Sequence, residues 1–260
     1  MQEEIHMVEN SMISTIVNIV KSCTPIMLEA KDISDNVEAK EGHGNFVTAF
    51  DKRMQAALEE KLAAAFPDAQ FLGEEDESRT AADLYHGMVF VIDPIDGTSN
   101  FMNGLNYSCV SVGVVIDGKR YAGVVYNPYN DECFTAERGQ GTYLNGKQIH
   151  VSNTDLAHSL VLFGTAPYYE ELWDRTFELA RDYCSRGMDL RRSGSAALDL
   201  CNIACGRAGL FFELRLQPWD FTAGIVLIEE AGGLVVDENG RELPLFEASS
   251  IWACNSKIGE

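Results

Sequence analysis

Near the start of the chain the apolar residues Ile5, Val8, Met12, Ile16, Ile19, Cys23 and Ile26 recur at steps of three and four. That period predicts one helix face from about Glu3 to Ala30, with Pro25 kinking or breaking its last turns. A second helix is predicted after Thr48, capped by Thr48 or Asp51, with Met54, Ala57, Leu58, Leu62 and Ala65 as its stripe and Pro67-Asp68 as its stop. The pattern then changes. Phe71-Leu72, Met88 to Ile92, Tyr107 to Ile116, Val124 to Tyr126 and Glu132 to Ala136 read as strands, with Asp117-Gly118 as a hairpin turn and Arg138 to Gly146 as a glycine-rich connection.

Beyond Ser159 to Phe163, another strand, the periods alternate. Helices are predicted near Glu170 to Cys184, Ser195 to Cys205 and Asp220 to Ala231, the last closed by Gly232-Gly233. Strands are predicted near Asp189 to Arg191, Gly209 to Glu213, Leu234 to Val236 and Ile251 to Ala253. The class is α/β, expected as one domain with a sheet-rich half over about 1–150 and an α/β half over about 151–260.

Composition narrows what such a fold does. The chain has 260 residues, 46% of them hydrophobic, enough for a substantial core. Forty acidic and twenty basic side chains give a net charge of -20, which argues against direct contact with nucleic acid or an anionic membrane. An anionic substrate would need cations to mediate. The seven cysteines are odd in number and never spaced as Cys-x-x-Cys, so they are expected as reduced, buried thiols of a cytoplasmic protein. The start is acidic rather than basic, and no apolar run reaches the length of a membrane span. The five histidines show no zinc spacing, and neither a Gly-x-Ser-x-Gly nor a Cys–His signature marks a covalent nucleophile.

The candidate chemistry begins where Val89 to Ile92 runs into Asp93-Pro94-Ile95-Asp96-Gly97-Thr98. Two carboxylates past the end of a buried strand repel each other unless a cation or proton intervenes, and hard oxygen ligands suit magnesium. Gly97-Thr98-Ser99-Asn100 follows with small residues at a helix start, a favourable place for a phosphate. The same residues also fit a plain turn and a strand-end solubiliser. In the acid run Gly73 to Glu77, at least one side chain can enter the same cleft, although such runs are also ordinary solvated turns. Asp220 opens the last helix, by default as its N-cap. Glu74, Asp93, Asp96 and Asp220 together supply the four carboxylates of a two-metal phosphatase.

These segments resemble the signatures of the inositol monophosphatase family in order and spacing. The resemblance runs through Asn45-Phe46-Val47-Thr48 with Asp51, Gly73-Glu74-Glu75, Asp93 to Phe101, Arg191 to Cys201, Trp219 to Gly224 and Glu230 to Gly233. It implies a layered α/β/α/β/α sandwich of the inositol monophosphatase / fructose-1,6-bisphosphatase type, a homodimer, and lithium sensitivity. It also implies two or three magnesium ions held by Glu74, Asp93, Asp96, Asp220 and the carbonyl of Ile95, with Asp93 bridging. Glu74 would orient a water that Thr98 and Asp51 polarise, and the Gly97 and Thr98 amides would hold phosphate beside Asp96 and Asp220. Gly194, Ser195, Ala196 and Glu213 match the positions that bind the alcohol, and Lys40 is a candidate partner of a metal-bound water.

The sequence departs from the family pattern at Asn45, Asn106 and Gly164 to Tyr168. The expected reaction is magnesium-dependent hydrolysis of a small phosphate monoester, myo-inositol monophosphate first. A broader sugar-phosphate phosphatase, such as one acting on fructose 1,6-bisphosphate, is the alternative. Some bacterial relatives also act in transcription complexes, so a partner role that retains the phosphatase fold is a further reading.

Overall fold

A computed structural model describes residues 11–30, 37–39, 46–76 and 84–259. The part of the first predicted helix before Ser11, and the residues Lys40, Asn45 and Glu77, lie outside the described residues. Within them that helix is two: α1, Met12–Cys23, and α2, Pro25–Leu28. The break falls where Pro25 can start a helix but cannot continue one, since it lacks the amide hydrogen of an interior position. A short hairpin follows, β1 (Val37–Ala39) with β2 (Phe46–Thr48), then α3, Ala49–Ala65. Thr48 caps α3 in a reciprocal box, its side chain accepting from Asp51 N–H while Asp51 accepts from Thr48 N–H.

Seven strands come next. They are β3 (Gln70–Gly73), β4 (Met88–Asp96) and, after the short α4 (Thr98–Met102), β5 (Cys109–Ile116), β6 (Lys119–Asn127), β7 (Glu132–Glu137), β8 (Gly141–Leu144) and β9 (Lys147–Ile149). They pair in chain order, β3 parallel to β4 and the rest antiparallel. The Asp117-Gly118 turn joins β5 to β6 with both residues left-handed, φ 48° and 71°, as a two-residue hairpin requires. Two expectations are corrected here. The predicted strand at Val124 to Tyr126 is the end of the longer β6, and β8 begins inside the predicted glycine-rich connection, because a turn at Gly139 returns the chain onto β7.

The second sheet orders as β11 (Asp189–Arg191), β10 (Leu160–Phe163), β12 (Leu210–Leu216), β14 (Ser249–Cys254) and β13 (Leu234–Val236). Between these strands in sequence run α5 (Trp173–Arg186), α6 (Ala196–Ala204) and α7 (Pro218–Glu230), and the short α8 (Ser256–Gly259) ends the chain.

The layers follow from which side chains each face buries. Ile16 and Val20 of α1 and Met54, Leu58 and Leu62 of α3 pack on Phe90, Ile92, Val112 and Val124 of the first sheet. The opposite face of that sheet, through Val125, Phe134 and Ala136, meets α6 and α7, whose far sides cover Phe211, Ile251 and Ala253 of the second sheet. Ala180 of α5 closes the stack on Val161, Leu210 and Phe212. This is the expected α/β/α/β/α sandwich, with α6 and α7 in the central layer.

The approach of α7 is unusually close. A Cβ on Gly113 would lie 2.4 Å from Thr222 Cγ2, and one on Gly123 would lie 2.5 Å from the Ala223 carbonyl oxygen. Absent side chains on β5 and β6 thus let α7, and Asp220 near its start, settle against the first sheet. Of the seven cysteines, all free, Cys184 is exposed rather than buried, since it lies on the outer helix α5. Among the described residues no helix is long and apolar enough to cross a membrane.

Candidate active site

Asp93 and Asp96 are three apart, so in a regular strand they would point to opposite faces. The pairing of β4 with β5 prevents this. Asp93 faces Ser111 while Asp96 faces Cys109, three steps on β4 against two on β5, which is a bulge of one extra residue. The bulge returns both carboxylates to the same side. Pro94 fits there because a bulge tolerates a missing amide donor, and Asp93 Oδ1 accepts the Ile95 N–H at 3.0 Å across the turn. Gly97 then adopts φ 85°, a left-handed turn that glycine makes without steric penalty, and α4 starts at Thr98.

Asp220 joins them from the central layer. Carboxylate oxygens of Asp93, Asp96 and Asp220 all lie within 4.8 Å of one another. The expected N-cap role of Asp220 is corrected. Gln217 is the N-cap, and Asp220 is the third helical residue, its Oδ2 accepting the Gln217 N–H at 2.7 Å. The helix starts at Pro218, so Asp220 lies within its first turn with its carboxylate in the cluster with Asp93. Glu74 follows β3, anchored by its N–H to the Ile92 carbonyl at 3.1 Å, and lines the same cavity outside the tight triad. Its neighbour Asp76 is structural, bonded to the Gly73 N–H and the Gln55 amide.

The cluster is electrostatically crowded. Burial raises Asp93 well above the ordinary carboxylate range, and the charges of Glu74, Asp96 and Asp220 raise it further. Asp220 is raised well above its usual value by burial and then by Glu74 and Asp96. Asp96 is raised by burial, against the pull of donors at the start of α6. Its Oδ2 accepts a short bond from Ser195 Oγ, the Ala197 N–H at 3.1 Å and Cys109 Sγ–H at 3.7 Å. Ser195 is the N-cap of α6 and is buried, so its hydroxyl serves Asp96 and the helix. A site of buried, mutually repelling carboxylate oxygens matches the hard donor set that magnesium takes.

One cavity of about 310 Å³ gathers these groups. Glu74, Asp93, Ile95, Asp96, Gly97, Thr98 and Asp220 line it, together with Gly194, Ser195, Ala196 and Glu213. Asp51 is set behind this wall, bonded at Oδ1 by Thr98 Oγ1 at 3.3 Å; the same hydroxyl lies 3.1 Å from the Ile95 carbonyl oxygen. Burial raises Asp51 to about 6. Glu213 sits at a second bulge, where β12 takes three steps against two on β14. It is buried, its Oε1 accepts the Ala166 N–H at 2.8 Å, and its carboxylate fills the space that a side chain on Gly164 would need. Burial raises it to about 7, opposed by the Ala166 N–H and then by Arg192.

Tyr168, from the segment where the sequence departs from the family pattern, also lines the cavity, as do Arg192 and Asp199, named above only as part of the Arg191 to Cys201 segment and given no role there. Only the alternation of Asp199 with the apolar residues of α6 marks it, as a charged residue on an otherwise buried helix.

The sequence model of the inositol monophosphatase family matches residues 9–260. The chain belongs to the inositol monophosphatase family. Inositol monophosphatase 2 of Solanum lycopersicum is 40% identical over 230 residues, covering 86% of each chain. Nus factor SuhB of Salmonella typhimurium is 36% identical over 231 residues, 88% of this chain and 86% of that one. The crystal structure of extragenic suppressor protein suhB from Bartonella henselae superposes with a TM-score of 0.85 at 32% identity, covering 94% and 93% of the two chains. Membership in this family supports a phosphatase, and the layered fold is the one these proteins share.

Proposed function

We propose that this protein is a magnesium-dependent phosphoric monoester hydrolase that converts myo-inositol monophosphate to myo-inositol and phosphate. The observation that carries the reading is the Asp93–Asp96–Asp220 cluster, set in one cavity with Thr98 and the buried Glu213. Asp93, Asp96 and Asp220, with Glu74 and the Ile95 carbonyl, would hold magnesium, which when bound offsets phosphate charge and makes water more acidic. Gly97 and Thr98 would bind the phosphate through their amides. Thr98 Oγ1 donates to Asp51 Oδ1, leaving its lone pairs to orient the attacking water, with Asp51 as the proton's destination. Glu74 steadies that water from the other side.

Glu213, fixed through Oε1 by Ala166, presents a carboxylate to the hydroxyl groups of the alcohol. A polyol satisfies such a buried acceptor, whereas an alcohol without hydroxyls leaves it unpaired. The test is phosphate release, with and without magnesium and lithium, from inositol monophosphates, fructose 1,6-bisphosphate, histidinol phosphate and adenosine 3',5'-bisphosphate. Preference for inositol monophosphate, with loss on magnesium removal and inhibition by lithium, is expected. Preference for histidinol phosphate or the adenosine compound would overturn the substrate assignment.

The similarity to Nus factor SuhB favours a second role as a partner in a transcription complex. Such a role would not require the carboxylates. An Asp96→Asn protein that keeps a cellular effect while losing phosphate release would establish it, and parallel loss of both would exclude it.

A further inference from the structure

Asp96 is the most heavily bonded carboxylate of the three-carboxylate cluster, and its bonds converge on one oxygen. Oδ2 accepts the Ser195 hydroxyl, the Ala197 N–H at 3.1 Å and the Cys109 thiol at 3.7 Å. Among the described residues Asp93 and Asp220 each show a single such bond, from the Ile95 and Gln217 N–H groups. A carboxylate oxygen offers about two lone-pair sites, so three donors fill Oδ2, and none of the three falls on Oδ1.

The donors are built into the fold. Ser195 is 1% exposed and Cys109 is fully buried. They approach from two elements. Cys109 stands directly across from Asp96 in the β4–β5 ladder, and Ser195 caps α6, its Oγ also accepting the Leu198 N–H at 3.3 Å. The thiol and the hydroxyl lie 3.9 Å apart, against the same oxygen. Turning the carboxylate to present both oxygens to a cation would break three buried bonds at once and strand their donors. Ser195 occupies a position that the family resemblance gives to the alcohol, yet its hydroxyl is engaged by Asp96.

The number of oxygens a carboxylate can offer decides which cation it suits. Magnesium demands a small, near-octahedral shell, whereas calcium takes a larger, flexible one and readily accepts both oxygens of one carboxylate. We propose that Ser195, Cys109 and the Ala197 amide form a clamp that restricts Asp96 to one-oxygen coordination and so sets the selectivity of the site for magnesium over calcium. Ser195 and Cys109 are then positioning residues that act through Asp96. The inference rests on the metal-dependent phosphatase reading above.

The test is calorimetric titration of the substrate-free protein with magnesium and, separately, calcium, for wild type, Ser195→Ala, Ser195→Thr and Cys109→Ala. Removing the hydrogen-bond partner of a metal ligand costs about ten- to a hundredfold in metal affinity. Ser195→Ala is expected to lose magnesium affinity in that range while calcium affinity falls far less or rises. The ratio of the calcium Kd to the magnesium Kd then drops by at least about tenfold. Ser195→Thr keeps the hydroxyl and the wild-type ratio. Cys109→Ala removes a weaker donor and caps no helix, so it shifts the ratio the same way by about two- to threefold. Loss of the α6 cap alone lowers Tm and weakens both ions alike, so the ratio separates selectivity from stability. An unchanged ratio in Ser195→Ala overturns the clamp, and if that variant does not fold, an unchanged ratio in Cys109→Ala does so. A wild type that binds neither ion overturns the metal reading of the cluster, and the clamp with it. A wild type that binds magnesium but releases no phosphate overturns the phosphatase reading alone, and the ratio still decides the clamp.

Discussion

Replacing Asp93 by Asn removes one charge from the cluster while keeping an oxygen to accept the Ile95 amide at 3.0 Å. At a separation of 4.8 Å and an effective dielectric near 20, each ionised pair repels by about 3.5 kcal/mol. Without metal the cluster relieves this by holding a proton. Keeping a carboxyl with an ordinary value of 3.8 protonated at pH 7 costs about 4 kcal/mol. Metal-free Asp93→Asn is therefore expected to be more stable than metal-free wild type by about 2 to 4 kcal/mol at pH 7, a rise in Tm of roughly 5 to 15 °C.

The sign with pH follows from the raised folded-state values of Asp93 and Asp220. A group that holds its proton more tightly when folded contributes stability that is fully present below the unfolded value and lost as pH rises through the folded one. Metal-free wild type should gain on the variant as pH falls from 7 to 5. Magnesium narrows and then reverses the difference, since a hundredfold excess over Kd adds about 2.7 kcal/mol and a thousandfold excess about 4.1 kcal/mol to the protein that binds it. Thermal unfolding in chelator and then in a magnesium series reads both effects. A metal-free variant less stable than wild type, or one that gains equally from magnesium, would refute the reasoning.

Three other outcomes are expected. Gly123→Ala places a methyl against the Ala223 carbonyl, costs about 1–3 kcal/mol in urea unfolding and, by shifting α7 and Asp220, weakens magnesium binding. Ala166 holds a left-handed φ of 42°, so Ala166→Gly should stabilise by up to about 1 kcal/mol while retaining the N–H that seats Glu213. With Asp51 raised to about 6 and acting as a base, kcat should rise with pH through that value in wild type, and Asp51→Asn should abolish that rise.

Much of the site is legible because its chemistry is local. Asp93 to Thr98 carries its own strand end, turn and carboxylates, and the α/β class follows from apolar periods on either side of it. The bulge that brings Asp93 and Asp96 to one side is not legible, because it depends on how β4 pairs with Cys109 and Ser111. Asp220 reads as an N-cap by composition. Its inward place depends on Gln217 taking that role and on α7 lying against Gly113 and Gly123 from elsewhere in the chain. Arg192 shows no spacing signal and Asp199 only that of a charged residue on a buried helix, since they come near Glu213 through the folding of the second sheet onto α6. The exposure of Cys184 reflects the outer position of α5, which periodicity alone does not assign.

Phosphate release from myo-inositol 1-phosphate by wild type and Asp220→Asn decides whether the Asp93–Asp96–Asp220 cluster makes this protein a magnesium-dependent phosphatase. Release by wild type is expected to saturate with magnesium and vanish in chelator, and to fall by at least about a thousandfold in a folded Asp220→Asn protein. Release that persists in chelator, or an Asp220→Asn protein as active as wild type, would contradict that role of the cluster.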